Sequence, residues 1–202
     1  MRCTGLIALV ASLLLLGCGR PETLVWVRAP ALPREQLQQV QWRVDGLDRL
    51  EAVPRYDQAI QGLFGNKSRF EEAFLRDLVA ELPKPPADSV AFPRLQLSLD
   101  RMFIYEQAVS GGDTEGLPIL YCVVEVEFRV LDEHGKLLVD GIAKDRTCLD
   151  SWWHRPDEAR LRNALILIRR SLTTYLSGSM DSRRVSGIDE FPSWGRLPVL
   201  RN

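Results

Sequence analysis

The sequence has almost no excess of charge of either sign. Its 202 residues include 26 lysines and arginines and 27 aspartates and glutamates, so the formal net charge at pH 7 is −1. Proteins that bind nucleic acid usually carry a basic patch or stripe, and no such cluster stands out here. A polybasic segment of the kind that binds anionic lipid is absent as well. The charge balance therefore indicates a soluble body with a mixed surface and no nucleic-acid partner.

Histidine is scarce, which limits catalytic and metal-binding chemistry. The chain contains two histidines, His134 in a predicted turn and His154 beside a predicted helix start. The sequence lacks the nucleophile-elbow, zinc-protease, phosphate-loop and dinucleotide-binding patterns. We therefore predict a protein that is not an enzyme, with no catalytic residues, no metal site and no cofactor.

The N-terminal apolar run is too short to cross a membrane. It covers residues 6–16 and follows Arg2, the only charge before Arg20. A hydrocarbon core about 30 Å thick needs about 20 apolar residues in a helix. A positive start, a short apolar core and a small residue at its end are typical of a secretory signal peptide, which we predict over residues 1–17.

The end of this run resembles the lipobox of bacterial lipoproteins. Leu15-Leu16-Gly17-Cys18 has a leucine three residues before a cysteine and a small residue directly before it. The resemblance implies that diacylglycerol is attached to the Cys18 thiol and that signal peptidase II cuts before Cys18. Two or three acyl chains would hold the product stably on a membrane. Gly19 follows the cysteine, where inner-membrane lipoproteins of proteobacteria often have Asp, so the resemblance implies an outer-membrane lipoprotein that faces the periplasm.

The lipid anchor is expected close to the folded body. The first strand-like run starts at Leu24, about five residues after Cys18. Fully extended, this tether spans only about 20 Å. If the run belongs to the fold, the domain lies near the bilayer.

The two remaining cysteines of the mature chain form an even pair in an oxidising compartment. Cys3 is lost with the signal peptide and Cys18 carries lipid, which leaves Cys122 and Cys148. Between them lies a predicted hairpin that turns near residue 134.5, and a turn there pairs residues whose numbers sum to about 269.

The numbers of Cys122 and Cys148 sum to 270, so the two cysteines are one residue away from being a directly opposed cross-strand pair. A bulge at Asp140-Gly141 would supply the missing residue, and we predict a Cys122–Cys148 disulfide on this basis. Two free buried thiols are the alternative. A metal site that adds His154 is disfavoured because no ligand spacing supports it.

The body alternates strand-like and helical patterns. The predicted order is strand, strand, helix, three strands in a meander, helix, with a capping box at Ser68 and Glu71 before the first main helix. The last helix has one apolar stripe from Leu161 to Leu176. Arg160, Arg162, Arg169 and Arg170 lie mostly off this stripe. We expect their face to be solvated, and contact with anionic lipid or glycan is the alternative.

This order predicts an α+β fold. We expect an antiparallel sheet of about four to five strands with two main helices packed on one face. The sheet and helices would form a single periplasmic domain over residues 18–178. Residues 179–202, rich in glycine, proline and arginine, would form a C-terminal tail.

Exposed tryptophans are the candidate partner-binding residues. Trp152 and Trp153 are adjacent in an extended segment, so they point to opposite sides, which would leave one of them available to a sugar ring, a lipid interface or a partner. The alternative is that both tryptophans are structural. Trp194 in the tail is the next candidate.

The element order loosely resembles that of small outer-membrane lipoproteins that assist lipopolysaccharide assembly or activate peptidoglycan synthases. This resemblance implies an accessory factor for an envelope machine of export, secretion or cell-wall synthesis, with a larger envelope protein as partner and the membrane bound through the N-terminal lipid. The alternative is a periplasmic carrier of a lipid or other small apolar ligand held between sheet and helices.

Overall fold

The protein has an α+β fold built on one mixed sheet. The structure, a computed structural model, describes residues 24–27, 37, 40–84, 93–109, 119–148, 157–178 and 183–184. In chain order the elements are β1 (Leu24–Val27), β2 (Gln41–Leu47), β3 (Leu50–Ala52), α1 (Pro54–Phe64), α2 (Lys67–Glu81), β4 (Arg94–Val109), β5 (Ile119–Leu131), β6 (Leu137–Cys148), α3 (Asp157–Leu176) and β7 (Arg183–Arg184). The strand order is β2-β4-β5-β6-β1-β7, and β3 also pairs with β4.

The central meander is confirmed. Strands β4, β5 and β6 are consecutive antiparallel neighbours. Residues 132–136 form the β5–β6 turn, where the Asp132 carboxylate accepts hydrogen bonds from the backbone N–H groups of His134 and Lys136 at 2.9 and 2.8 Å. Gly135 has φ +78°, a left-handed conformation that favours glycine.

We expected an antiparallel sheet, but the sheet also contains parallel strand pairs. Both β2 and β3 run parallel to β4, and β7 runs parallel to β1. The reason is the connection from β3 to β4, which contains α1 and α2. A chain that leaves a sheet through helices and returns beside its starting strand makes a parallel pair.

We expected two main helices, whereas the described residues form three helices with defined bounds. Residues 54–64 form a full helix that starts with Pro54 in its first turn and ends at Gly65, whose φ is +82°. The capping box was also misplaced. Helix α2 starts at Lys67, and the Asn66 side chain accepts the hydrogen bond from the Arg69 N–H at 2.8 Å.

Alternating side chains of β4, β5 and β6 form the core against the helices. In β4 the alternation changes phase at a register shift between Leu99 and Arg101, so that Met102 and Ile104 face the same side as Leu97. Side chains of all three helices join this cluster. Its fully buried members include Leu97, Leu99, Val124, Val126, Phe128, Val130, Phe70, Leu78, Leu161, Ile168 and Leu172.

The predicted Cys122–Cys148 disulfide is not formed in the structure. Cys122 is a free thiol, fully buried on the helix side of the sheet. The backbone register pairs Cys122 with Thr147 and Tyr121 with Cys148. The two cysteine positions are therefore offset by one residue, and such an offset assigns strand positions to opposite faces.

The bulge that would have aligned the cysteines lies elsewhere. We expected it at Asp140-Gly141, but the register of β5 and β6 shifts between Val130 and Leu131, beside the turn. From there to Cys148 the pairing stays constant. The error was therefore in the position of the bulge. A one-residue change in register changes the pairing of every residue beyond the bulge.

Candidate functional site

Most of the residues singled out from the sequence lie outside the described residues. These are the signal peptide, the lipidation candidate Cys18, the aromatic candidates Trp152, Trp153 and Trp194, and His154. Only Arg183 and Arg184 of the predicted tail are described. The candidate site below is therefore built from other residues, which lie along helix α3.

Helix α3 packs against α1 through ion pairs. Arg55 of α1 contacts Asp157 at 2.7 Å and Glu106 of β4 at 3.0 Å. The Glu106 carboxylate also lies 3.6 Å from the guanidinium of Arg160, whose residue is only 8% exposed. We call these four residues the α1–α3 seam. Arg160 had been assigned to a solvated face, and the structure corrects this.

Buried weak acids lie beneath the α1–α3 seam. Tyr56 is fully buried, and Cys122 lies beside Glu106 in the sheet register. Burial raises the pKa of the Cys122 thiol to about 12 and also raises the pKa of Tyr56. Both groups are therefore neutral at physiological pH, and the Cys122 thiol is a poor nucleophile.

Helix α3 leaves an open groove against α2. The groove has a volume of about 280 Å³ and is lined by Phe64, Phe70, Ala73, Phe74, Asp77, Arg162, Leu165, Ile166 and Arg169. We call it the α2–α3 groove. Its floor is apolar, whereas Asp77 and the two arginines are the ionisable residues of its lining.

Three phenylalanines shape one side of the groove. Phe70 and Phe74 are one helical turn apart on α2, with ring centroids 6.3 Å apart and nearly parallel planes. The turn at Gly65 brings Phe64, the last residue of α1, edge-on to Phe70 at 5.2 Å. Ala73 also lines the groove, and its small side chain fills little of it.

The rim of the groove is charged, and its two arginines differ in whether they form ion pairs. Arg169 of α3 contacts Glu81 at 2.7 Å and Asp77 at 3.4 Å, both on α2. Arg162 is exposed and has no ion-pair partner among the described residues. Ile166 lies between these arginines on α3 and is 36% exposed. This surface can bury an apolar side chain beside an unpaired cation.

Sequence reasoning missed the groove. Phe70 and Phe74 recur at helical spacing and are buried, so their pattern alone indicates core residues. The one sequence feature that pointed to the groove was Ile166, a large aliphatic residue that lies off the apolar stripe of α3. It did not reveal the groove because the second wall comes from residues about 90 positions earlier in the chain.

The sheet face opposite the helices carries paired charges. Lys144 donates a hydrogen bond to the Tyr105 hydroxyl at 2.5 Å and lies 3.7 Å from Glu125. Burial lowers the pKa of Lys144, and the Glu125 carboxylate opposes this shift. The Arg146 guanidinium lies over the Tyr121 ring, 5.1 Å from its centroid.

Two properties of the described residues bear on metal and membrane binding. Within the ranges that the structure describes, no group of three or more His, Cys, Asp or Glu side chains is arranged to hold a metal ion. In those same ranges, no helix has the length and apolar composition needed to cross a membrane.

Comparison with known proteins gives weak similarities. No protein-family model and no curated protein sequence matches the chain. A minor lipoprotein from Acinetobacter baumannii is 11% identical, with a TM-score of 0.36, over 64% of this chain and 92% of its own. A homolog of a neuraminyllactose-binding hemagglutinin from Helicobacter pylori is 10% identical, with a TM-score of 0.41, over 76% and 89%. A lipoprotein from Caulobacter crescentus is 16% identical, with a TM-score of 0.27, over 74% and 98%. Similarities at this level do not establish a shared function.

Proposed function

We propose that this protein is a lipid-anchored, non-enzymatic accessory factor that binds a larger envelope protein. Its acyl chains are attached at Cys18 and hold it in the outer membrane, facing the periplasm. The machine that it serves belongs to export, secretion or cell-wall synthesis. Two features support the proposal, namely the lipobox Leu15-Leu16-Gly17-Cys18 and the α2–α3 groove.

The α2–α3 groove is the structural feature that most directly supports a binding role. Phe64, Ala73 and Ile166 keep apolar surface at its mouth, whereas Phe70 and Phe74 are buried beneath them. A contact centre of this kind, apolar in the middle and charged at the rim, is typical of protein–protein interfaces. Ile166 is exposed at its edge and loses water contact when a partner binds.

The chemistry of the groove indicates what the partner presents. A volume of about 280 Å³ accommodates one or two large apolar side chains. Arg162 is unpaired among the described residues, whereas Arg169 is already bound to two carboxylates. The partner is therefore a protein segment with an apolar anchor and an acidic residue placed to meet Arg162.

A matched pair of variants tests the binding role. Ile166→Asp places a charge in the groove, and Val79→Asp places one on an α2 residue that is 46% exposed and does not line it. Crosslinked co-purification of the lipidated protein from solubilised membranes is compared for both variants. We expect the large partner to be lost with Ile166→Asp and kept with Val79→Asp.

Other outcomes of this experiment contradict parts of the proposal. If both variants keep the partner, the groove is not the binding surface, and Trp152→Ala, Trp153→Ala and Trp194→Ala variants test the remaining aromatic candidates. If no large protein but a lipid or other apolar ligand co-purifies, the chain is a carrier instead.

The anchor has its own test. Cys18→Ala removes the thiol that accepts diacylglycerol, so the protein should leave the membrane fraction or stay at precursor size. If the variant stays in the membrane at mature size, the anchor assignment is wrong.

A further inference from the structure

The position of β1 in the sheet fixes where a lipid anchor at Cys18 meets the fold. Strand β1 is antiparallel to β6, with Leu24 opposite Lys144 and Val27 opposite Gly141. The first residue of β1, Leu24, therefore lies at the end of β1 that is nearer to Cys148, the last residue of β6. We call this end of the sheet the anchor end and the β5–β6 turn, residues 132–136, the turn end.

The tether is too short to reach the turn end. Six residue steps separate Cys18 from Leu24, which is about 20 Å when fully extended. From Lys144 the strand β6 continues about 13 Å to Cys148 and about 23 Å the other way to Leu137, before the turn begins. An acyl-bearing Cys18 can therefore pass the anchor end by a few ångströms but cannot pass the turn end.

The anchor end also has a surface that fits a bilayer interface. Leu120, at the start of β5, is 37% exposed, and its register partner Ala108 on β4 is exposed as well. The α1–α3 seam lies at the same end, where its two arginines and two carboxylates balance each other. Exposed apolar side chains favour contact with a bilayer interface, and the seam adds no net charge that would oppose it.

We propose that the anchor end lies against the leaflet that holds the acyl chains, with the turn end pointing into the periplasm. The inference rests on the proposed lipidation of Cys18. Helix α3 starts at the anchor end, where Asp157 contacts Arg55, and ends near the turn end, where Tyr175 contacts Phe128.

This orientation also places the groove relative to the membrane. Leu165 lies eight residues after Asp157, which is about 12 Å along a helix. The α2–α3 groove therefore opens sideways, close above the lipid surface. Its partner is a membrane protein that presents the apolar anchor and acidic residue from a segment next to the bilayer.

Site-specific quenching tests the orientation on the lipidated full-length protein. Single labels are placed with Leu120→Cys, Ile166→Cys or His134→Cys, each in a Cys148→Ser background. Cys122 does not compete for the label because it is buried and its pKa is raised to about 12. The protein is bound to vesicles of phosphatidylethanolamine and phosphatidylglycerol whose headgroups carry a nitroxide quencher.

The expected result is a gradient. Fluorescence at position 120 is quenched several-fold more than at position 134, with position 166 between them. Equal quenching at all three positions, with the protein bound to vesicles, overturns the orientation but leaves the anchor intact. If the protein with an intact Cys18 fails to float with the vesicles, the anchor itself is wrong and the orientation falls with it.

Discussion

Helix α3 meets its two neighbouring helices in opposite ways. Against α1 it is closed by ion pairs, in which Glu106 contacts both Arg55 and Arg160 over buried Tyr56 and Cys122. Against α2 it leaves an apolar groove of about 280 Å³ at the surface. The first contact therefore pairs charges above a buried layer. The second also has ion pairs, from Arg169 to Asp77 and Glu81, but it leaves apolar surface at the groove edge.

The difference separates stability from binding. A charge that is only partly exposed is costly to leave without its partner, so residues of the α1–α3 seam are constrained by folding. A side chain at an open groove edge contributes little to folding, because water already contacts it. Substitutions along α3 should therefore lower stability on one side and binding on the other.

The largest expected effect on stability comes from the floor of the groove. Phe70 is fully buried and contacts the rings of Phe64 and Phe74. Phe70→Ala should lower the free energy of unfolding by about 3–5 kcal/mol, from lost transfer energy and the cavity left behind. Urea denaturation measures the change. A loss below about 1 kcal/mol would mean that the floor is not part of the core.

The α1–α3 seam should give the next largest effect. Glu106→Gln leaves the buried Arg160 without its carboxylate, and we expect a loss of about 2 kcal/mol, reduced from a fully buried pair by the partial exposure of Glu106. Glu51→Gln is the matched control, since Glu51 also contacts two arginines, Arg49 and Arg101, but at a more exposed site. That control should cost about 0.5 kcal/mol. Equal losses for the two variants would contradict the special role of the seam.

Alkaline pH should weaken the same region gradually. The folded pKa of Cys122 is raised to about 12, above the ordinary value of 9.0, so the native state holds this proton more tightly than the unfolded chain. Its contribution to stability is complete below pH 9 and is lost as pH rises from 9 towards 12, by at most about 1.4 kcal/mol per pH unit. Urea denaturation between pH 8 and pH 10.5 should show this slope in the native sequence and a shallower one in Cys122→Ala. An unchanged slope in that variant would contradict the assignment.

The smallest stability effect is expected at the groove edge. Ile166→Asp and Val79→Asp should each change the free energy of unfolding by about 0.5 kcal/mol or less, because both side chains are already in contact with water. Urea denaturation of the two variants side by side checks this. A large loss with Ile166→Asp alone would show that the edge is structural, and binding defects of that variant would then reflect misfolding.

The sequence was sufficient for the features that depend on local pattern. Strand-like patterns predicted the three-stranded meander of β4, β5 and β6, and the apolar stripe from Leu161 to Leu176 predicted α3. The phase change after Asp100 was not recognised as a bulge, although it keeps Met102 and Ile104 in the core.

Features that depend on distant parts of the chain were not predicted. The parallel pairing of β2 with β4 follows from the two helices between them, and the groove requires α2 and α3 to meet. The missing disulfide shows a third limit, because one misplaced bulge changed which residue of β6 lies opposite Cys122. Such errors arise since strand faces alternate with every residue.

Photo-crosslinking in living cells tests the central claim most directly. A photoreactive residue is placed at position 166, at the groove edge, or at position 79, on exposed α2 surface, in the lipidated protein. The account predicts one major adduct from position 166, with a large membrane-associated envelope protein whose crosslinked segment is apolar and acidic, and no such adduct from position 79. The same adduct from both positions, or adducts from position 79 alone, would contradict it.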